Sequence, residues 1–299
     1  MSPFAATPPP LPSIADQKNI LLELQPSIKK SLNWRPLRSL WRFERVETDE
    51  QGLISELDLA ECQVKAPLAA LGVILGPSLL RLDINNCPDL TGDLSLLSSC
   101  PNLLAVALGR TALEGNILVL ETLPQLEVLS LQWNQGIGGD LRVFKQLRQV
   151  RDISLYGCKT VKGNVSSFRS CRKLQRLSLA ETDAFGDISS FQRLYGLSEL
   201  ALDDCRKLHG NISSLRKLTA LQVLKLNNCA ALVGEVEELA DLTCLTELSL
   251  FNCKRLKGNL QVFLDLPVLN KLILWNTTLK GNKALLRQTM RPPARHVFM

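Results

Sequence analysis

Residues 197–220 read LSELALDDCRKLHGNISSLRKLTA, and the spacing of this segment recurs along most of the chain. The shared framework is LxxLxLxxCxxLxG[DN]IxxFxxLxx, and successive copies start 23 to 25 residues apart. A period held over this length indicates a repeat architecture, in which each unit stacks on its neighbours. The ten copies begin at Ile54, Leu79, Leu103, Leu126, Val150, Leu174, Leu197, Leu221, Leu245 and Leu269.

Each unit predicts a short strand, a turn and a tight helical segment. The alternation in Leu224-Lys225-Leu226 places the two leucines on one side of a strand. The glycine that follows the strand, such as Gly210, turns the chain away. An apolar pair three residues apart, such as Ile188 and Phe191, suits a 3₁₀ turn on the far side of the coil.

The ninth position of the unit carries cysteine or a small polar residue. From the second copy onward, threonine stands there wherever the gap to the glycine is four residues instead of five, as from Thr182 to Gly186. We expect these side chains to bond to the backbone of the next coil, where buried N–H and C=O groups need partners. The position holds, in order, Cys62, Cys87, Thr111, Asn134, Cys158, Thr182, Cys205, Cys229, Cys253 and Thr277.

The unit resembles the plant-type leucine-rich repeat, LxxLxLxxNxLxGxIPxxLxxLxx, over about residues 16–290. Cysteine or threonine mostly replaces the asparagine of that pattern, as in intracellular repeat proteins, and serine commonly replaces the proline. The resemblance implies an α/β repeat solenoid. This would be a right-handed leucine-rich-repeat superhelix, with a parallel β-sheet on its concave face and 3₁₀ or turn segments on its convex face.

The segment from Asp16 to Gly52 is similar to the N-terminal cap of plant-type repeat receptors. Trp34 and Trp41 match that cap, but Ser39 and Thr48 stand about where the family has a cysteine pair. The missing pair argues against an oxidising compartment. The predicted organisation is a disordered Pro-rich tail at 1–15, a helical cap at 16–53, ten repeats at 54–290 and a C-terminal tail at 291–299.

Composition and cysteine content narrow the class of protein. The chain has 299 residues, of which 45% are hydrophobic, and a formal net charge of +6, which excludes wholesale disorder and does not by itself indicate nucleic acid. Nine cysteines without a C-x-x-C pair, and an N-terminus unlike a signal peptide, predict a cytoplasmic or other reducing compartment. Basic residues in the cap leave a mitochondrial or plastid presequence open, with the organelle interior as the alternative location.

No catalytic, metal or cofactor site is recognisable in the sequence. Only two histidines occur, His209 in a repeat loop and His296 in the tail, and neither belongs to a Ser/His/Asp or Cys/His arrangement. Asp203 and Asp204 are predicted to point to opposite faces of a strand, so they form no ready acid/base pair. We therefore expect a protein that is not an enzyme and that binds no cofactor, metal or small-molecule substrate.

The concave sheet is the predicted binding face. Positions 2, 3, 5, 7 and 8 of each unit point to it, position 5 is mostly small, and position 7 or 8 carries four large aromatic residues. Tyr and Trp are enriched among binding hot spots, although neighbouring aromatics can also simply pack on each other. The predicted partner-binding residues are Arg110, Trp133, Tyr156, Asp203, Asp204, Lys225, Phe251 and Trp275.

A second candidate surface is basic. Lysine and arginine follow the ninth position in every other unit, and stacking would align them along one edge of the solenoid. Such an edge either binds phosphate or an acidic partner, or is an ordinary solvated loop edge. The residues of this basic edge are Lys159, Lys162, Arg206, Lys207, Lys254, Arg255 and Lys257.

These features predict a non-catalytic scaffold that binds a protein partner on its concave face, either as an adaptor or as a subunit of a larger assembly. The alternative function is electrostatic binding of RNA or an acidic surface through the basic edge. A fragment of a receptor ectodomain is a third interpretation, which the absent cysteine pairs and signal peptide disfavour. The identity of the partner protein does not follow from the sequence.

Overall fold

The computed structural model describes residues 13, 15–17, 19–20, 46–62, 64–289 and 296–298. The Pro-rich tail predicted at 1–15 and the helical cap predicted at 16–53 fall mostly outside the described residues. Ser39 and the basic residues of the cap are among those that lie outside. The ten repeats are described almost completely, and the boundaries of the predicted segments remain predictions.

One long sheet follows the repeats and takes one short strand from each coil. Each strand spans positions 3 to 5 of its unit, and the leucines at positions 4 and 6, such as Leu224 and Leu226, are buried. Strands of successive coils pair in parallel, and only the first pair of the sheet is antiparallel. In spatial order the strands are Val46–Thr48, Ile54–Asp58, Arg81–Asp83, Ala105–Ala107, Val128–Ser130, Asp152–Ser154, Arg176–Ser178, Glu199–Ala201, Val223–Lys225, Glu247–Ser249, Lys271–Ile273 and His296–Phe298. This confirms the predicted leucine-rich-repeat solenoid.

A second parallel sheet forms after the ninth position, where only a turn is predicted from the sequence. The glycine has a φ between 109° and 138° in the nine coils that carry it, and in seven of them it lies inside a strand that ends at the next residue. Each of these strands pairs with the corresponding strand of the neighbouring coil, so adjacent coils are hydrogen-bonded to each other in two sheets. The strands are Thr91–Asp93, Ala112–Asn116, Gly136–Asp140, Thr160–Asn164, Asp183–Asp187, Lys207–Asn211, Ala231–Glu235 and Leu256–Lys257.

Short 3₁₀ segments close each coil on its far side, as the apolar pairs predict. The Asp or Asn after the glycine caps the segment, since its side chain accepts the N–H two residues later; the distance is 2.7 Å from Ser189 N to Asp187 Oδ1 and 2.9 Å from Ser213 N to Asn211 Oδ1. The bounds of these segments are Leu68–Leu71, Leu94–Ser99, Ile117–Thr122, Leu141–Lys145, Val165–Ser170, Ile188–Phe191, Ile212–Leu215, Val236–Leu239 and Leu260–Leu264.

The core is one continuous apolar column between the two sheets and the 3₁₀ segments. Each coil contributes its leucines at positions 1, 4 and 6 and the apolar pair of its 3₁₀ segment. In the middle coils Phe144 and Phe168 stack with their ring centroids 4.9 Å apart, and Phe191 continues the stack at 6.3 Å. A coil that contacts only its two neighbours is stabilised mainly by this shared column.

The ninth-position side chains bond to the preceding coil, not to the next coil as predicted. The thiols of Cys158, Cys205 and Cys253 each donate to the position-6 carbonyl of the coil before, at 3.0 Å. At the threonine positions the hydroxyls of Thr111 and Thr182 donate to the position-6 carbonyl of their own coil, at 3.0 Å and 2.6 Å. Thr111 is still linked to the neighbouring coil, because its backbone N–H donates to Asn134 Oδ1 at 3.0 Å.

The two ends of the long sheet differ from its middle. Val46–Thr48 lies antiparallel to Ile54–Asp58 and so covers the first edge of the sheet. At the other end the helix Lys283–Thr289 follows the last coil, and His296–Phe298 pairs in parallel with Lys271–Ile273. The C-terminal tail, expected only as an exit from the repeats, therefore contributes a strand. Within the described part of the chain, no helix has the length and apolar character needed to cross a bilayer.

The cysteines should divide sharply in their reactivity toward iodoacetamide. Burial raises the pKa of Cys158 to about 11 and those of Cys205 and Cys253 to about 12, which removes the thiolate that reacts. Cys244 is exposed and Cys62 is half-buried. We expect mass spectrometry of the native protein to find Cys244 alkylated first and the buried cysteines only after denaturation. Rapid alkylation of Cys205 in the native protein would contradict the burial of the ninth-position thiols.

Replacing Asn134 should destabilise the solenoid more than replacing an exposed asparagine does. Its side chain is fully buried and makes four bonds: it donates to Leu108 O and Leu131 O and accepts from the N–H and hydroxyl of Thr111. Asn134→Ala should lower the free energy of unfolding by about 2–3 kcal/mol, because these buried groups lose their partner. Asn270→Ala, at an exposed position, should change it by less than about 0.5 kcal/mol in the same urea titration.

Candidate functional site

The solvent-facing side of the long sheet is a shallow trough with small residues at its centre. Position 5 is the last residue of each strand and points outward, and in six coils it carries alanine or serine. Those side chains are half-buried, apart from Ser249, which is buried. A partner can therefore approach the backbone closely along the sheet axis. The six residues are Ala107, Ser130, Ser154, Ser178, Ala201 and Ser249.

Position 8 is a left-handed turn in every one of the ten coils, a feature that sequence reasoning missed. Four asparagines and one glycine suit this conformation, but bulky residues such as Trp133 adopt it as well. The repeated asparagine was the available signal. The values of φ lie between 57° and 75° at Glu61, Asn86, Arg110, Trp133, Gly157, Glu181, Asp204, Asn228, Asn252 and Asn276.

Asp203 and Asp204 lie in this turn, beyond the end of the strand at Ala201, so the prediction that they occupy a strand is wrong. Asp203 accepts the backbone N–H of Asn227 at 2.9 Å, and Asp204 accepts the side-chain amide of Asn228 at 3.1 Å. Each carboxylate thus binds a different group of the following coil. They do not form an acid/base pair.

Trp133 and Tyr156 form one aromatic cluster, with ring centroids 4.5 Å apart and an interplanar angle of 56°. The guanidinium carbon of Arg110 lies 6.0 Å from the centroid of the Trp133 ring, on the neighbouring coil. Both aromatic side chains are half-buried, because each covers part of the other. The structure brings these three predicted residues together as a preformed unit.

Carboxylates surround the free side of Tyr156. Burial raises the pKa of the Tyr156 hydroxyl, and Glu181, which hydrogen-bonds it, and the charges of Asp203 and Asp204 raise it further. Burial also raises the pKa of Asp203, partly offset by the N–H of Asn227 and by Lys225. This end of the aromatic cluster therefore lies in a negative field.

Phe251 and Trp275 differ from the first aromatic pair because they are exposed. They hold position 7 of the last two coils, and 37% and 52% of their respective surfaces are exposed. The backbone N–H of Phe251 donates to Asn227 Oδ1 at 2.8 Å, which fixes the loop that carries the ring. Nearby, Lys225 and Lys271 share one carboxylate oxygen of Glu247, at 3.3 Å and 2.9 Å.

The basic edge is partly neutralised by acidic residues of the sixth and seventh coils. Lys207 lies 2.6 Å from Asp183, Arg206 lies 3.4 Å from Asp204, and Lys159 lies 4.0 Å from Glu181. The remaining members are exposed, and no ion pair involves them within the described residues. These are Lys162, Lys254, Arg255 and Lys257.

Side chains with the chemistry of a metal site do not converge anywhere in the part of the chain that the structure describes. His209 lies on the second sheet, where its Nδ1 is 3.8 Å from Asp187, and it is remote in sequence from any nucleophile of the concave face. Cys100, Cys158, Cys171, Cys205, Cys229, Cys244 and Cys253 are free thiols. The arrangement can bind a partner by shape, aromatic contact and charge.

No family model and no curated protein matches the chain, but many solved structures do. It is 22% identical to the leucine-rich-repeat ectodomain of the Arabidopsis thaliana membrane receptor kinase GASSHO1/SCHENGEN3, solved with CASPARIAN STRIP INTEGRITY FACTOR 2, with a TM-score of 0.63. The Arabidopsis receptor kinase HAESA, solved with the peptide hormone IDA and the co-receptor SERK1, is 28% identical, with a TM-score of 0.52. A plant ice-binding protein is 19% identical, with a TM-score of 0.66.

The share of each chain that the match covers differs between the receptors and the ice-binding protein. The match to GASSHO1/SCHENGEN3 covers 79% of this chain and 32% of that one, and the match to HAESA covers 78% and 36%. The match to the ice-binding protein covers 95% of this chain and 98% of that one. The chain thus has the plant-type leucine-rich-repeat fold, and the matches to GASSHO1/SCHENGEN3 and to this HAESA structure span about a third of those receptor chains.

Gly157→Ala should destabilise the aromatic cluster. Gly157 has a φ of 75°, and an added Cβ would lie 2.8 Å from the Trp133 ring, so both the backbone and the ring must move. We expect a loss of about 1–2 kcal/mol in the free energy of unfolding and a reduced near-ultraviolet circular dichroism signal. The control is Gly196→Ala, where the nearest atom is 3.6 Å away and φ is not positive; a loss as large there would remove the case for a specific contact.

Proposed function

We propose that this protein is a non-catalytic binding module that holds a protein or peptide partner on the concave face of its long sheet. The single observation that carries the proposal is the trough itself: a continuous sheet face with small residues at its centre and aromatic side chains at its rim. Small central residues let a partner approach, and Tyr and Trp supply the contact area typical of binding hot spots. The action could be that of an adaptor or of a subunit in a larger assembly.

The comparisons support a role in interaction without defining the partner. Two of the similar structures are receptor ectodomains bound to a peptide or protein factor, but this chain matches only a third of each. The similar ice-binding protein has the same fold and a different role. The proposal therefore rests on the side chains of the trough, since fold alone does not specify function.

We also propose that the protein works in a reducing compartment. Seven of its nine cysteines are buried thiols, and the five at the ninth position in this group donate a hydrogen bond across or within the core. Thiols used as buried donors do not need an oxidising environment, in contrast to a disulfide framework.

The basic edge supports a second function less well. Three of its seven cations already lie within ion-pairing distance of a carboxylate, which lowers the potential that a phosphate would meet. Lys254, Arg255 and Lys257 of the ninth coil are exposed, and within the described part of the chain no ion pair involves them. Binding dominated by phosphate contacts would weaken steeply with salt, whereas binding at an aromatic trough would not.

Blocking the trough should abolish partner binding. Ser178 lies at the centre of the sheet and is half-buried, so Ser178→Tyr places a bulky neutral side chain where the partner must approach. We expect a partner captured from native lysate in stoichiometric amount by the wild type to fall at least tenfold with this variant.

The matched control is Tyr195→Ser, which removes an aromatic side chain that is 56% exposed but lies between the 3₁₀ segment and the next strand, away from the trough. It should retain the partner. If Ser178→Tyr retains the partner while Lys254→Glu/Arg255→Glu loses it, together with RNA or acidic proteins, the basic edge is the binding surface and the proposal is wrong.

A further inference from the structure

Basic side chains are concentrated on one side of the fourth to seventh coils, in the segments that run from the start of each 3₁₀ segment to the first residue of the next coil. These segments are residues 141–150, 165–174, 188–197 and 212–221, and they contain nine cations and no carboxylate. All nine side chains are exposed. We call this surface the convex basic face, and its cations are Arg142, Lys145, Arg148, Arg169, Arg172, Lys173, Arg193, Arg216 and Lys217.

The corresponding segments of the first three, the eighth and the ninth coils have the opposite charge. Together they hold five carboxylates and no cation. The convex basic face therefore ends at the eighth coil, where Asp241 stands two residues after the last apolar residue of the 3₁₀ segment, the place that Arg193 and Lys217 hold in the two coils before. The five carboxylates are Glu121, Glu237, Glu238, Asp241 and Asp265.

Hydrogen bonds between coils place the cations side by side. The Ser170 hydroxyl of the fifth coil donates to the carbonyl of Lys145 in the fourth, at 3.0 Å. The guanidinium of Arg172 donates to the carbonyl of Arg193 in the sixth coil, at 3.2 Å. Because both sheets hold successive coils about 4.8 Å apart, the four coils span about 15 Å. Cations of adjacent coils thus lie within about a Debye length of each other and repel.

Cations of the long sheet are neutralised by the protein itself, whereas those of the convex basic face are not. Arg81, Arg151 and Arg176 each lie 2.8 to 3.3 Å from a carboxylate of the preceding coil. Among the nine cations of the convex basic face, the ion pairs of the described residues include only Arg216, which lies 3.7 Å from Glu238.

One carboxylate outside these segments acts on the face from a greater distance. The pKa of Asp187 is lowered chiefly by the hydrogen bond from the Ser189 N–H, against the effect of burial, and to a smaller extent by the charges of His209 and Arg169. A single carboxylate that is already hydrogen-bonded does not balance nine cations. Repulsion of this kind destabilises the free protein and is relieved by an anionic partner.

The apolar side chains of the face indicate the class of anionic partner. Every large apolar side chain of the four segments is buried except Tyr195, which is 56% exposed and stands in line with Arg148 and Arg172 of the two preceding coils. A protein interface is centred on an apolar core, and single-stranded nucleic acid stacks successive bases on several aromatic rings. One tyrosine among cations fits the headgroup region of an anionic bilayer, where tyrosine is enriched and lysine and arginine are attracted.

We propose that the convex basic face docks on a membrane surface that carries anionic lipids, with its lysine and arginine side chains at the headgroups and Tyr195 at the interface. This function goes beyond the partner binding proposed for the trough and does not depend on it. The 3₁₀ segments lie on the far side of each coil from the long sheet, so a docked molecule presents its trough to the solution. The cytoplasmic leaflet is rich in anionic lipids, which agrees with the reducing compartment proposed above.

The test measures cosedimentation of the full chain with phosphatidylcholine vesicles, with and without phosphatidylserine, at physiological ionic strength. We expect binding only when phosphatidylserine is present, and weaker binding as salt is added. Arg148→Gln/Arg169→Gln removes two exposed charges that take part in no ion pair of the described residues. It should weaken binding about twentyfold, because each cation near an anionic bilayer contributes a factor of about five.

Three further variants separate the face from net charge, misfolding and the trough. Lys254→Gln/Arg255→Gln removes the same charge from the exposed loop of the ninth coil and should leave the affinity within twofold of the wild type. Asp241→Lys extends the face into the eighth coil and should strengthen binding severalfold, a gain that misfolding cannot produce. Ser178→Tyr, which fills the trough, should bind the vesicles as the wild type does.

The remaining outcomes overturn the proposal. These are no binding to either kind of vesicle, equal binding to both kinds, and equal loss in the two double variants. Tighter binding of single-stranded RNA or polyglutamate than of vesicles, lost in Arg148→Gln/Arg169→Gln, would make the face a site for that polymer instead. None of these results bears on the trough, whose partner is tested separately with Ser178→Tyr.

Discussion

The buried carbonyl at position 6 of each coil is the constraint on which this solenoid depends. It lies at the edge of the apolar column, beyond the strand ladder. In several coils the backbone N–H of position 9 donates to it, as from Cys205 N to Leu202 O at 3.1 Å, and a carbonyl oxygen can accept a second bond. In six coils that second donor is a thiol or amide from the next coil, as with Cys229 and Leu202 O at 3.1 Å. One side chain thereby fixes the distance and register between coils. The parallel sheet, and hence the spacing of every side chain on the concave face, follows from that stacking.

Much of the fold could be predicted because its strongest signal is local. The leucine spacing predicts the strand at positions 3 to 5, and apolar pairs such as Ile212 and Leu215 predict the 3₁₀ segments. The second sheet could not be read in this way, since its strands contain a glycine with positive φ and only one buried side chain each. Such a segment resembles a turn in sequence, and it becomes a strand only because the neighbouring coil offers a partner.

The sequence indicated which residues belong to the candidate site, but it indicated less well how they contact one another. The residues at positions 5 and 7 could be placed on the face from the period of two alone. The contacts between coils could not be predicted, because they depend on left-handed turns at position 8. Half of the residues at that position, such as Trp133, do not indicate such a turn. Trp133 and Tyr156 thus prove to be half-buried partners of each other, whereas Phe251 and Trp275 remain exposed. Likewise, the positive potential of the basic edge is lowered by Asp183 of the sixth coil and Asp204 of the seventh coil, which pair with Lys207 and Arg206.

Position 8 differs from the other positions of the face because its backbone is held in a left-handed turn. Asparagine tolerates that backbone, and at the end of the solenoid its side chains form a row of bonds in which Asn252 donates to Asn228 and Asn276 donates to Asn252. Positions 3, 5 and 7 carry no such restriction and vary freely in size and charge. Because each coil contacts only its neighbours, a change at one of these positions alters the face locally and leaves the column intact.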